Sequence, residues 1–181
     1  EHGLTIDSHI VAYSDKGQDA GFILAILDYA GAGKLSLLNG GIAAWKKAGL
    51  EVSTDSVEPE KKTFEIAPRK ELVVHNDYVK ANLDNPAVTI VDVRILQQSL
   101  GALKHPLAKR PGRIPGSILF PITGLYMDYS YLKSPEELLW VLKERNIRPQ
   151  KTIVVSCNTG WWGSGAQYML RYLGYQDVRL H

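Results

Sequence analysis

Only one cysteine, Cys157, stands in these 181 residues. One thiol excludes an intramolecular disulfide framework and any zinc site built from several thiolates, and no cofactor or metal is implied. No run of eighteen apolar residues occurs, so no membrane span is expected. The opening segment, Glu1-His2-Gly3-Leu4-Thr5-Ile6-Asp7, lacks the basic start and apolar stretch of a leader. Charge of one sign is missing too: 21 basic and 19 acidic residues leave a formal charge of +2. That balance argues against wrapping a nucleic acid or gripping a membrane surface, so any anion site must be local. What remains, 45% apolar and 22% charged residues, suits a globular chain with a core of its own.

The chain repeats itself. Laying Ile10-Val11-Ala12-Tyr13-Ser14 on Ile153-Val154-Val155-Ser156-Cys157 carries Gly17 onto Gly160, Leu27 onto Leu170, Tyr29 onto Tyr172, Gly31 onto Gly174 and Leu37 onto Leu180 without a gap. Each copy reads strand, short glycine-containing loop, amphipathic helix, glycine, strand. The second copy has a long stretch before its loop, from near Glu71, that the first lacks. The first continues through Asn39-Gly40-Gly41-Ile42-Ala43-Ala44-Trp45, which the second lacks. Between them, residues 53–70 carry many charges with Pro59 and Pro68 and read as an extended linker.

Within the second copy, Leu72-Val73-Val74 is expected as a short strand, and Asn76 as the cap of a helix over 77–83. The β-branched run from Val88 to Val93 suits a buried parallel strand, with Asp92 and Arg94 at its C-terminal end, the edge where sites collect in open α/β sheets. Two roles are open for this pair: part of a site, or ion pairing that only holds the loop. Lys104, Lys109, Arg110 and Arg113 make the following connection basic, either as a solvated loop or as a lure for an anion. Arg113-Ile114-Pro115-Gly116-Ser117 forms a turn into a strand at 118–120. Ser134-Pro135-Glu136-Glu137 is a capping box opening a scaffold helix to Arg145. A buried strand over 151–156 then runs straight into Cys157, with a helix expected over 164–173.

Cys157 is either an inert core residue or a reactive thiol, and its position favours the second. A strand, a short loop and a helix aim successive backbone N–H groups into a concavity at the positive end of a helix dipole, where the thiolate is stabilised. Gly160 and Gly163 suit the close backbone approach such a cradle needs. Trp161 and Trp162 either wall the pocket or pack beside it.

On Val91-Asp92-Val93-Arg94, Arg113-Ile114-Pro115-Gly116-Ser117, the Ser134 helix and the Cys157 loop, with Tyr13-Ser14-Asp15 and Asn39-Gly40-Gly41-Ile42-Ala43-Ala44-Trp45 in the first copy, the chain resembles the tandem rhodaneses, the thiosulfate and 3-mercaptopyruvate sulfurtransferases. The resemblance implies a doubly wound α/β fold, a parallel sheet flanked by helices. It divides the chain into the C-terminal half of a non-catalytic domain (1–52), a linker (53–70) and a catalytic domain lacking its last helix (71–181). Apolar surface left bare by the absent pieces would promote self-association.

The implied chemistry is ping-pong. The Cys157 thiolate takes a sulfane sulfur from a small anionic donor and hands it, as a persulfide, to a thiol or cyanide acceptor. Asn158, Thr159, Gly160, Trp161, Trp162, Gly163 and Arg94 are the implied binding residues, supported by Asp92. Ser14 stands where a nucleophile belongs in the first copy, which marks that copy as scaffold. Thiosulfate is the expected donor, and 3-mercaptopyruvate is the alternative, because Thr159-Gly160 is closer to that branch and the loop carries no cationic side chain. A persulfide carrier suits a cytoplasmic or a periplasmic setting equally. Cysteine-based phosphatase chemistry is disfavoured, because Gly163 and Ser164 follow the loop where a phosphate-gripping arginine would be needed. A non-catalytic binding or regulatory module is the remaining alternative.

Overall fold

The computed structural model describes residues 3–128 and 130–181. Glu1 and His2, the start of the segment read for a leader, lie outside them. The chain opens with strand β1 (His9–Ala12), helix α1 (Gly17–Tyr29), strand β2 (Lys34–Leu37) and helix α2 (Gly41–Lys47). After the linker come α3 (Asn76–Ala81), β3 (Val88–Asp92), the single turn α4 (Leu96–Ser99), β4 (Ile118–Leu119), α5 (Pro135–Glu144), β5 (Thr152–Ser156), α6 (Trp161–Tyr172) and β6 (Val178–Leu180).

Every strand pairing within these sheets is parallel. β1 and β2 form a two-stranded sheet, and the rest form a four-stranded sheet in the order β4-β3-β5-β6. The two central strands have both faces covered, which is why β3 and β5 read as unbroken apolar runs rather than alternating ones. Val91, Ile153 and Val155 join Leu138 and Leu142 of α5 and Met169 and Leu170 of α6 in the main core. Ile90 and Val154 face a smaller cluster with Val74 and Val79. This is the doubly wound α/β arrangement expected from the sequence.

The internal register is visible in the coordinates. α1 and α6 end on Tyr29 and Tyr172, Gly31 and Gly174 follow with φ of 105° and 93°, and the closing strands end on Leu37 and Leu180. The two loops before these helices differ. Gly160 precedes α6 in the left-handed region at φ 82°, whereas Gly17 is already the first residue of α1, preceded by Lys16 in an extended conformation at φ −119°.

Local boundaries differ from expectation in three places. The expected strand at 72–74 is a 3-10 turn over Lys70–Leu72 followed by a single parallel bridge, Val73 to Leu180, because charged Arg69, Lys70 and Glu71 start it and only Val74 is buried. Asn76 is the first residue of α3 rather than its cap, and its side chain pairs with the His181 ring at 2.9 Å instead. Helix α6 begins at Trp161, three residues ahead of the expected start, since the left-handed turn at Gly160 brings the chain into helical register at once.

The two copies meet along α1 and α6. Glycines set that approach: a Cβ on Gly21 would lie 3.3 Å from Gly165 Cα, and one on Gly165 would lie 3.1 Å from the Gln18 carbonyl oxygen. The linker's end is tied to the same helix, with Ala67 N–H donating to Ala30 O at 2.9 Å and Arg69 N–H to Tyr29 O at 2.8 Å. Arg69 also pairs with Asp28, which Arg171 of α6 reaches at 3.3 Å.

Candidate active site

The parallel register puts Asp92 beside Ser156, so the next turns of both chains, carrying Arg94 and Cys157, leave the sheet at one edge. Cys157 is half-buried. Its Sγ accepts hydrogen bonds from Gly160 N–H at 3.0 Å and Gly163 N–H at 3.3 Å. Gly163 is the third residue of α6, a position whose N–H has no partner within the helix. The sulfur therefore does for α6 what a capping side chain does elsewhere, and the charge it would carry as a thiolate lies at the positive end of the helix dipole. Trp161 and Trp162 occupy the first two helical positions, whose amides also lack partners within the helix and point toward the same open end.

Position 163 is restricted to glycine by space. A Cβ there would stand 2.7 Å from Leu180 Cδ1 and 3.3 Å from Cys157 Sγ. Gly160 is restricted by conformation, since its positive φ is costly for a residue with a side chain.

Asp92 and Arg94 pair with each other. Arg94 Nε and Nη2 donate to the two carboxylate oxygens of Asp92, both at 2.8 Å. Burial opposes the charge on Asp92, but the hydrogen bonds from Arg94 outweigh it and hold the carboxyl below its ordinary range. The same hydrogen bonds push the Arg94 guanidinium further up. Two donors remain in use beyond the pair: Nη2 to the Gly112 carbonyl at 2.9 Å and Nη1 to Asn158 Oδ1 at 3.2 Å. Asn158 in turn donates to buried Gln98 Oε1 at 2.8 Å. The residue after the cysteine is thus fixed from both ends by β3's terminus and α4. Of the two roles left open by the sequence, the geometry shows Arg94 holding the loop, at the edge of the cradle.

The other sequence candidates separate. Thr159 is exposed at the rim, and Trp162 is partly buried against the main core. Trp161 turns toward the first copy, where its ring stacks on Phe22 with centroids 4.2 Å apart and an interplanar angle of 14°, and its Nε1 donates to Asp19 Oδ1 at 2.8 Å. Lys104, Lys109 and Arg110 are exposed on the long connection, and Arg113 reaches Ser99 Oγ at 3.4 Å. In the first copy, Ser14 Oγ accepts from the Lys16 N–H at 3.2 Å. Without a left-handed glycine before α1, the loop there turns differently.

Sequence reading missed Gln98, Asp19 and Phe22. Gln98 sat in an unremarked polar run, Leu96-Gln97-Gln98-Ser99. Asp19 and Phe22 had no local signal, since their partner lies in the other copy.

The profile of the rhodanese-like domain family matches residues 75–181. Among curated proteins the chain is similar to the thiosulfate sulfurtransferase of Bos taurus, at 28% identity over 99% of this chain and 62% of the relative. It is also similar to the 3-mercaptopyruvate sulfurtransferase of Mus musculus, at 28% identity over 87% of this chain and 54% of the relative. The chain therefore spans between half and two thirds of the length of these relatives. Among solved structures, SseA from Escherichia coli, described with 3-mercaptopyruvate sulfotransferases, superposes with a TM-score of 0.83 at 27% identity, covering 99% of this chain and 67% of that one. An EanB variant in complex with ergothioneine superposes with a TM-score of 0.88 at 26% identity, covering all of this chain and 49% of that one.

Proposed function

The chain belongs to the rhodanese-like domain family, and on that premise we propose that it transfers a sulfane sulfur from a small anionic donor to a thiophilic acceptor through a persulfide on Cys157. The observation that carries this reading is the pair of amides, Gly160 and Gly163, converging on Sγ. Donors preset on a sulfur favour its anionic form, both as the attacking thiolate and as the thiolate released when the persulfide is discharged. The thiolate attacks the outer sulfur of thiosulfate, the sulfur–sulfur bond of the donor breaks, and sulfite leaves with the bonding pair. The terminal persulfide sulfur is then attacked by a thiol or cyanide, and its bond to Sγ breaks to restore the thiolate.

The domain division follows from the same reading: residues 71–181 carry the reaction, residues 1–52 belong to a partner unit without a nucleophile, and 53–70 join them. Thiosulfate is the donor we favour. With Arg94 committed to Asp92, the donor's charge falls to the first-turn amides of α6, which suit a compact anion. A second reading, 3-mercaptopyruvate, is favoured by the exposed Thr159 at the rim, a hydroxyl free to meet a carbonyl or carboxylate. The phosphatase alternative finds no support in a loop whose nearest guanidinium is already held by a carboxylate.

The test is mass spectrometry of the chain after incubation with thiosulfate or 3-mercaptopyruvate. A gain of one sulfur atom on Cys157, lost in Cys157→Ser with an unchanged circular dichroism spectrum, is the expected result. No gain with either donor, together with hydrolysis of an aryl phosphate, would overturn it.

A further inference from the structure

The first copy bears no nucleophile, yet its helix reaches the reactive loop. Trp161, the first residue of α6, lies between two residues of α1: its ring stacks on Phe22 and its Nε1 donates to Asp19. Two residues after Trp161 is Gly163, whose amide points at Sγ, and immediately before Trp161 is Gly160, whose amide does the same. The one turn that supplies both donors is therefore anchored at its middle by the other copy.

That anchor is built rather than incidental. Tyr126, from the catalytic copy, packs so closely on α1 that a Cβ on Gly17 would lie 2.6 Å from its Cε1. Gly21 and Gly165 let the two helices cross at near backbone contact. These contacts fix where α1 lies, and the Asp19 carboxylate and the Phe22 ring then fix where Trp161 lies. An indole so held has little freedom to rotate, and a helix end whose first side chain is pinned does not fray.

We infer that Asp19 and Phe22 are positioning residues for the nucleophile: through Trp161 they hold the first turn of α6 so that the Gly160 and Gly163 amides stay aimed at Cys157 Sγ. The inference rests on the Cys157 reading only for its purpose, since the geometry concerns how well the thiolate is stabilised, whatever the thiolate goes on to attack. The first copy is then a working half of the site, not a passive support.

The test measures the rate at which iodoacetamide alkylates Cys157 near neutral pH in the folded 181-residue chain, a reaction that needs no sulfur donor. Asp19→Ala and Trp161→Phe are expected to slow alkylation roughly threefold or more, a fraction of the roughly hundredfold that losing an entire oxyanion donor costs. Asp19→Asn, which keeps an acceptor for the indole N–H, is expected to stay within about twofold of the parent. Combining Asp19→Ala with Trp161→Phe should add nothing to the slower single variant, because both break one contact. Phe22→Leu, which keeps apolar volume, guards against a variant that fails to fold and should slow the reaction by itself. A structural role alone would lower Tm and leave the alkylation rate of the folded protein unchanged. Parent-like rates in Asp19→Ala and Phe22→Leu, or multiplicative effects in the double variant, would overturn the inference. Slowed alkylation in the variants, with a parent chain that accepts sulfur from no donor, would retain the positioning role and reject the sulfurtransferase reading.

Discussion

Gly163 donates its N–H to Cys157 Sγ and leaves no room beside it: a Cβ on residue 163 would stand 3.3 Å from that sulfur and 2.7 Å from Leu180 Cδ1. Amide and empty space are both needed at one position, so the demand on the residue is double.

Gly163→Ala tests that demand. The added methyl must displace either Leu180 or the sulfur, and overpacking of this kind costs about 1–3 kcal/mol of stability. Moving Sγ off the amide should slow both alkylation and sulfur loading of Cys157 by about tenfold. Kinetics at the thiol, compared with urea unfolding of the same variant, separate the two effects. Unchanged alkylation would show that Leu180 gives way and the sulfur keeps its place on the amide.

Arg94→Ala tests the ion pair, and its consequence depends on pH. Asp92 is 3% exposed, and truncating its partner leaves a buried carboxylate without its counter-charge, held by the backbone N–H of residue 94 at 3.1 Å, at a cost of at most about 3–5 kcal/mol. In the parent, burial works against ionisation but the Arg94 hydrogen bonds win, so the folded-state value lies below the ordinary 3.8. A depressed carboxylate contributes stability that is complete above the unfolded value and fades as pH falls through the folded one. The pair's contribution should therefore persist down to about pH 4 and be lost below it. In Arg94→Ala the guanidinium's hydrogen bonds and charge are gone while burial stays, so against the weaker backbone N–H of residue 94 and Ser99 the carboxyl takes up its proton at higher pH, and the acid-unfolding midpoint followed by circular dichroism should move upward. Arg94→Lys should not restore it, because an ammonium cannot bridge both oxygens and also reach Asn158 and Gly112.

Tyr126→Phe tests a buried hydroxyl. Tyr126 is 6% exposed and its hydroxyl has no hydrogen-bond partner among the described residues, while burial and the nearby Asp19 carboxylate both push its ionisation up. Removing an unsatisfied polar atom while keeping the ring should raise stability by about 1 kcal/mol, visible as a higher Tm. A loss of that size would show that the hydroxyl is bonded in solution.

Much of this arrangement was legible in the sequence for local reasons. β3 and β5 announced themselves by continuous β-branched runs, the capping box at Ser134 and Glu137 formed as spelled, with Ser134 Oγ accepting from Glu137 N–H at 3.2 Å, and the internal repeat held to the residue at Tyr29 and Tyr172. The cradle was legible because strand, glycine and helix follow one another without interruption. What local pattern could not show was everything that crosses between distant segments. Trp161 gives no hint in its own loop that it stacks on Phe22, and Gln98 gives none that it fixes Asn158. The start of α6 was misplaced because glycine at 160 marks a turn without saying that the turn ends there. Val73 has the composition of a strand residue, but beside β6 it finds room for a single bridge.

The sulfur that we propose reacts is also the acceptor that closes the open end of α6, which makes local order and chemical readiness one property at this site. Whatever unravels the first turn leaves the sulfur without its two amide donors. Conversely, whatever blocks the thiol strips the helix of its terminus, and a modification of one atom is written into the shape of the chain around it.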